Sequence, residues 1–230
     1  MNNLFVLSQI PTDGIDAGVE EAVESISLLD LLLNGGFMMI PILLLWILAV
    51  YIFFERLATI RKASSTPDSF KDEIRNKVRN GDVNGARLFC QQTNTPIAKM
   101  IEKGLSRIGN QLKDIEVSIE NIGKIEVYKL EKNLSLLATI SGAAPMIGFL
   151  GTVTGMIQAF IAISQEEGAV SPKLLSGGIY EAMVTTAAGL FVGILAYLGY
   201  NFLVGRVQKV IHTMEYNSVE FIDLLQEPGK

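Results

Sequence analysis

The first 54 residues of this chain contain no lysine and no arginine, and its 230 residues include one cysteine, one histidine and one tryptophan. Each scarcity excludes something. Cys90 alone forms no intrachain disulfide, and with His212 as the single imidazole there is no zinc-type ligand set. His212 is read as a surface or packing residue, and Cys90 as a small buried side chain. The chain has no Walker A loop, no GxGxxG after a strand, no HExxH and no GxSxG, so no cofactor is expected. Ser141 and Ser164 have no histidine or second acid at a suggestive spacing, which argues against an intramembrane enzyme. Charged residues are also few, at 19% against the roughly 25% of an average soluble domain.

Apolar residues are abundant, at 49%, and they cluster. A bilayer-spanning helix needs about 20 mostly apolar residues. Three stretches qualify: 37–54, 134–163 and 177–204. The expectation is an all-α membrane protein of three transmembrane helices, two of them extended into a cytoplasmic helical bundle. Residues 1–36 precede the first span as an extracytoplasmic segment. Their first ten residues lack the basic start of a signal peptide and are expected to be retained. An amphipathic helix is expected over 16–33, either lying on the membrane or packed within the assembly. Trp46 and Tyr51 in the first span read as interfacial or packing residues.

Charge sets the orientation. Six acids and no bases precede residue 55: Asp13, Asp16, Glu20, Glu21, Glu24 and Asp30. Lysine and arginine are frequent from Arg56 to Lys132, and cytoplasmic segments carry that excess. The N-terminus is therefore expected outside, region 55–133 inside, loop 164–176 outside and tail 205–230 inside. Within 64–133, Gly81-Asp82, the stretch 93–96 and Gly109-Asn110 divide the chain into short helices, with Asp82 and Thr95 as N-caps and Pro96 at a first helical position. Val83, Ala86, Leu88, Phe89, Ile97, Met100, Ile101 and Leu105 are expected to form a small core there. Bases interleaved with acids, and few aromatics, read as a solvated face and not as nucleic-acid binding. From Leu112 the helical pattern continues into the second span without proline until Pro145, where a kink is expected, with Ser141 placed to cover the freed carbonyl.

The third span, GGIYEAMVTTAAGLFVGILAYLGYNFLV, holds one carboxylate, Glu181, and two adjacent hydroxyls, Thr185 and Thr186. A charge at the bilayer centre costs roughly 2.5–3.5 kcal/mol on insertion scales, and an acid kept there usually faces a partner helix, a cavity or an ion path. Glu181 can also be read as a solvated acid near the outer interface that orients its helix. In the second span Thr152 lies among Gly142, Gly148, Gly151 and Gly155, and a threonine there can simply bond its own helix. Gly151 and Gly155 form a GxxxG. Together with Pro145, Gly189 and Gly193, they are expected to allow close helix approach.

The motifs APMIGFLGTVTGMIQAF, over 144–160, and GIYEAMVTTAAGL, over 178–190, resemble the signature helices of the MotA/TolQ/ExbB proton-channel family. NGDVNGARLFCQQTNTPIAKMIEKGL resembles the family's helical region between its first two spans. Three spans fit the ExbB/TolQ branch, and the acidic N-terminal segment fits ExbB better. The resemblance implies an inner-membrane pentamer enclosing the helices of an ExbD- or TolR-like protein, which supplies an aspartate. Proton flow would then drive a TonB-like transducer for transport across the outer membrane, or envelope maintenance in the TolQ case. By the same resemblance Glu181, Thr152 and Thr186 match the proton pathway. On an ideal helix Thr185 shares the face of Glu181 better than Thr186 does, and the choice stays open. A scaffold that clusters partners without conducting is the other reading, and the transported ion could be another cation.

Overall fold

The computed structural model describes residues 35–67, 69–165 and 172–226. The amphipathic helix expected over 16–33 lies outside these residues, as do residues 166–171 of the polar loop expected over 164–176; the rest of that stretch is helical, not loop. Among the described residues all regular structure is helical: α1 Met39–Ala63, α2 Phe70–Arg79, α3 Val83–Thr93, α4 Pro96–Leu105, α5 Leu112–Glu131, α6 Leu134–Gln165 and α7 Pro172–Gln226. Three stretches are long and apolar enough to cross a membrane, within Met39–Ala63, Leu112–Gln165 and Ser176–Gln226.

The short helices begin and end for local reasons. Asp82 caps α3, its carboxylate accepting the Gly85 N–H at 2.9 Å. Thr95 caps α4, its hydroxyl accepting from Ala98 at 3.4 Å, with Pro96 at the helix start. Asn94 ends α3 in the left-handed conformation at φ 47°. These helices, with α5 and the C-terminal half of α7, enclose a polar body with an apolar centre. Phe70 is fully buried there and stacks on Phe89 with ring centroids 5.5 Å apart. Ala86, Cys90, Ile97, Met100, Ile101, Leu105, Ile119 and Phe221 complete the centre. Leu88 does not join it and is 59% exposed. It sits on α3 between the inward positions Ala86 and Cys90, and helical spacing turns it outward. Burial pushes the Cys90 thiol up to about 12. His212 is exposed.

The helical pattern from Leu112 is interrupted. Lys132 takes extended backbone, at ψ 137°, and Asn133 the left-handed conformation, at φ 63°, so α5 and α6 are separate helices. Arg56, at the polar end of α1, is buried beside this break. Its guanidinium pairs with the Glu55 carboxylate and donates to the Lys129 carbonyl at 3.0 Å. That carbonyl belongs to the last turn of α5, where backbone acceptors lack helical partners and the dipole attracts cations. One arginine thus ties the first span to the joint between α5 and α6.

Helix α6 runs through Pro145 without ending. The Ser141 hydroxyl donates to Ala138 O at 2.7 Å, and the Ser141 carbonyl abuts Gly193 of α7. The neighbouring helix, not the serine side chain, covers the carbonyl that proline frees. Helix α7 is continuous for 55 residues, about 80 Å long at about 1.5 Å per residue, with no break at Gly205. Its apolar half carries the third span. Its polar half buries Val207, Val210, Met214 and Phe221 in the body and leaves Val219 exposed.

Candidate functional site

The two helices carrying the candidate residues run antiparallel and touch through their smallest side chains. A Cβ on Gly189 would lie 2.6 Å from the Ala144 carbonyl and 2.9 Å from Gly148 Cα. One on Gly148 would lie 2.9 Å from the Thr185 carbonyl, and one on Gly178 would lie 2.7 Å from Ala159 Cβ. Gly193 faces the Pro145 ring and Gly155 faces Ala182. Real Cβ atoms essentially never approach other atoms within 3.0 Å. These positions therefore set the interhelical distance, and the backbones meet as small-residue membrane helices do. The seam pairs Ala144 with Gly189, Gly151 with Thr185 and Ala159 with Gly178, which fixes the register.

The adjacent threonines separate on this seam. Thr185 is 1% exposed and fills the space that Gly151 leaves. Its hydroxyl donates to its own helix, at 2.8 Å to the Ala182 carbonyl and 3.2 Å to the Glu181 carbonyl. Thr186 is half-buried and reaches across, donating to the Gly148 carbonyl at 2.9 Å. Thr152 is half-buried and donates to its own helix at the Phe149 carbonyl, 2.6 Å away. The antiparallel register brings Thr152 to a height between Glu181 and Thr186. Those two residues stand about 7.5 Å apart along α7.

Glu181 is half-buried, and none of the ion pairs among the described residues includes it. Its carboxylate reaches from α7 to the turn that precedes α1, against Gly36. It therefore lies level with the end of α1 that points away from the polar body. About 13 Å of α7 extends beyond it, back to Pro172. Sequence reasoning missed this contact, because the chain offers only a glycine pair there and the partner is 145 residues away. No cluster of three or more metal-ligating side chains occurs among the described residues.

The chemistry available is proton exchange. A carboxyl is neutral when protonated and charged when not, and a hydroxyl both donates and accepts. Residues 92–216 match the model of the MotA/TolQ/ExbB proton channel family. The chain belongs to this family. The match takes in α4, α5, α6 and most of α7, and with them Thr152, Glu181, Thr185 and Thr186. It is similar to the putative biopolymer transport protein ExbB-like 1 of Synechocystis sp., at 31% identity covering 77% of this chain and 70% of that one. It is also similar to the Tol-Pal system protein TolQ of Haemophilus influenzae, at 30% identity over 63% and 61%. The biopolymer transport protein ExbB of Neisseria gonorrhoeae shares 42% identity over a shorter stretch, 41% and 42%. Within the MotA/TolQ/ExbB family the chain is most like ExbB. It is a multi-pass, channel-type membrane protein and not an enzyme.

Proposed function

We propose that the chain is the pore-forming subunit of a proton-conducting, homo-oligomeric complex in a bacterial inner membrane, with a periplasmic N-terminus and a cytoplasmic polar body and C-terminus. The charge pattern supports that orientation, since the bases follow the first span and the acids precede it. The observation that carries the reading is Glu181, a carboxylate with no ion-pair partner among the described residues, in a membrane-length helix whose neighbours α1, before Glu55, and α6 hold no charged residue. An acid so placed takes up and releases a proton as its surroundings change. Thr186, with its hydroxyl on the Gly148 carbonyl, and Thr152, at the intermediate height, are the hydroxyls offered to water or a partner's side chain. Thr185 is buried in the seam and acts as a packing residue.

In this reading several copies, a pentamer by the family resemblance, enclose an ExbD/TolR-like single-span protein. Each proton crossing releases about 2.3 kcal/mol per 100 mV. That energy drives motion passed to a TonB-like transducer for transport across the outer membrane. The similarity to a Tol-Pal system protein supports a second role, powering envelope maintenance through the same pathway.

Glu181→Gln in the complex purified with its partner tests the reading. Proton flux into vesicles falls by about two orders of magnitude, while native mass shows the assembly unchanged. Undiminished flux would sink the conduction role, and loss of flux that tracks loss of assembly would instead favour a scaffold. Replacing the proton gradient by a sodium gradient identifies the ion.

A further inference from the structure

We propose that Gly36 is a positioning residue for Glu181: the turn that opens α1 seats the pathway carboxylate, and only glycine leaves room for it. The inference rests on the reading of Glu181 as the pathway acid and adds a third helix to that pathway.

Two independent features of Gly36 lead there. Its backbone is left-handed, at φ +63°, a conformation that L side chains rarely adopt. A Cβ at this position would also lie 2.6 Å from the Glu181 carboxyl carbon and closer still to Oε1. The turn is itself held in place, since Met39 N–H donates to the Gly36 carbonyl at 3.1 Å and Ile40 N–H to that of Phe37 at 3.2 Å. Helix α1 begins without a side-chain cap and without an acid in its first turn. The acid at this helix start comes instead from α7. The small-residue seam binds α6 to α7, and the Gly36–Glu181 contact links α1 to the same carboxylate. Movement of the α1 turn relative to α7 then changes what the carboxylate meets: the turn backbone when seated, water or a partner side chain when released.

The test uses the full chain with its partner, reconstituted in vesicles. Carbodiimide modification of Glu181, quantified by mass spectrometry, reports how the carboxyl is presented. The pH dependence of flux reports its proton exchange. Gly36→Ala is expected to change the modification rate by about threefold or more and to move the midpoint of the pH–flux curve by about half a unit. Gly177→Ala is the control: it lies on α7 about a turn from Glu181, and a Cβ there meets open space. It is expected to match the wild type in both measurements. If Gly36→Ala assembles poorly, Gly36→Asn replaces it, because asparagine tolerates the left-handed backbone yet still places a Cβ against the carboxylate. Modification and pH midpoint at wild-type values in the assembled fraction of either variant would overturn the proposal. If Glu181→Gln keeps its flux, conduction through Glu181 fails, but the modification rate at Glu181 in the Gly36 variants still decides whether Gly36 positions it.

Discussion

Along the membrane-length part of α7 the helix meets its neighbour through glycine and alanine, whereas in the polar body the same helix meets α4 and α5 through phenylalanine, isoleucine and methionine. The solvent explains the difference. In lipid, burying a leucine against another helix gains little, because the acyl chains it leaves are equally apolar. Close backbone approach and hydrogen bonds such as Thr186 to Gly148 must hold the hairpin. In water, large side chains gain from being hidden, so Phe70, Ile119 and Phe221 fill the body. Helix α7 changes chemistry along its length because its surroundings change, and the side chains proposed for the proton pathway lie where the contact is by backbone.

The comparison breaks most sharply at Gly189. Any side chain there strikes the Ala144 carbonyl and Gly148 Cα, both backbone atoms that cannot rotate aside. Gly189→Leu is expected to cost at least about 3 kcal/mol, the upper end for overpacking, and to separate α6 from α7. Its readout is loss of the oligomer in native mass measurement and a lower midpoint in detergent unfolding. In the body, Gly104 faces the ends of the Phe221 and Ile119 side chains, which can shift, so Gly104→Ala is the milder counterpart. Equal losses at the two sites would dissolve the distinction between backbone and side-chain contact.

How much of this was legible beforehand follows the same division. The three apolar stretches, the Asp82 and Thr95 caps and the small-residue positions could be read from the sequence, because each rests on local spacing or on the transfer of apolar groups. The break at Lys132 and Asn133 could not, since neither residue is a glycine or a proline. What stabilises that break is Arg56, more than 70 residues earlier. Leu88 was misplaced because a short helix with several apolar residues leaves its inward face ambiguous. For the site, the sequence supplied the acid and three hydroxyls but left the choice between Thr185 and Thr186 open. Only the register against Gly148 and Gly151 puts one in the seam and the other across it. Gly36 was out of reach, because a glycine shows in sequence only that a side chain is missing, not which distant group uses the space.

A smaller effect tests how dry the body is. Cys90 is buried and its thiol is held up at about 12 against an ordinary 9.0. With the folded value above the unfolded one, the native state keeps a proton that the unfolded chain releases between those limits. Stability from this group is therefore complete below about pH 9 and is lost as pH rises toward 12, by at most about 1.4 kcal/mol per pH unit. Unfolding in denaturant at a series of alkaline pH values should show this slope in the wild type and a flatter one in Cys90→Ala. Identical slopes would mean that water reaches the thiol.

The smallest effect belongs to the outside of the body. Glu220 on α7 accepts from Lys71 at 2.9 Å and Arg75 at 3.2 Å, and the Lys71 ammonium also sits 4.4 Å from the centre of the Tyr216 ring. This cluster joins α2 to the last turns of α7, yet its side chains are a third or more exposed. Water and salt screen such pairs, and holding long side chains in place opposes them entropically. Glu220→Ala should cost under about 1 kcal/mol at low salt and still less at about 1 M salt, where the Debye length falls to about 3 Å. A loss that persists in high salt would show that Glu220 holds α2 in place by shape and not by charge. The outer surface of the body would then resemble the membrane seam, where position and not charge decides the contact.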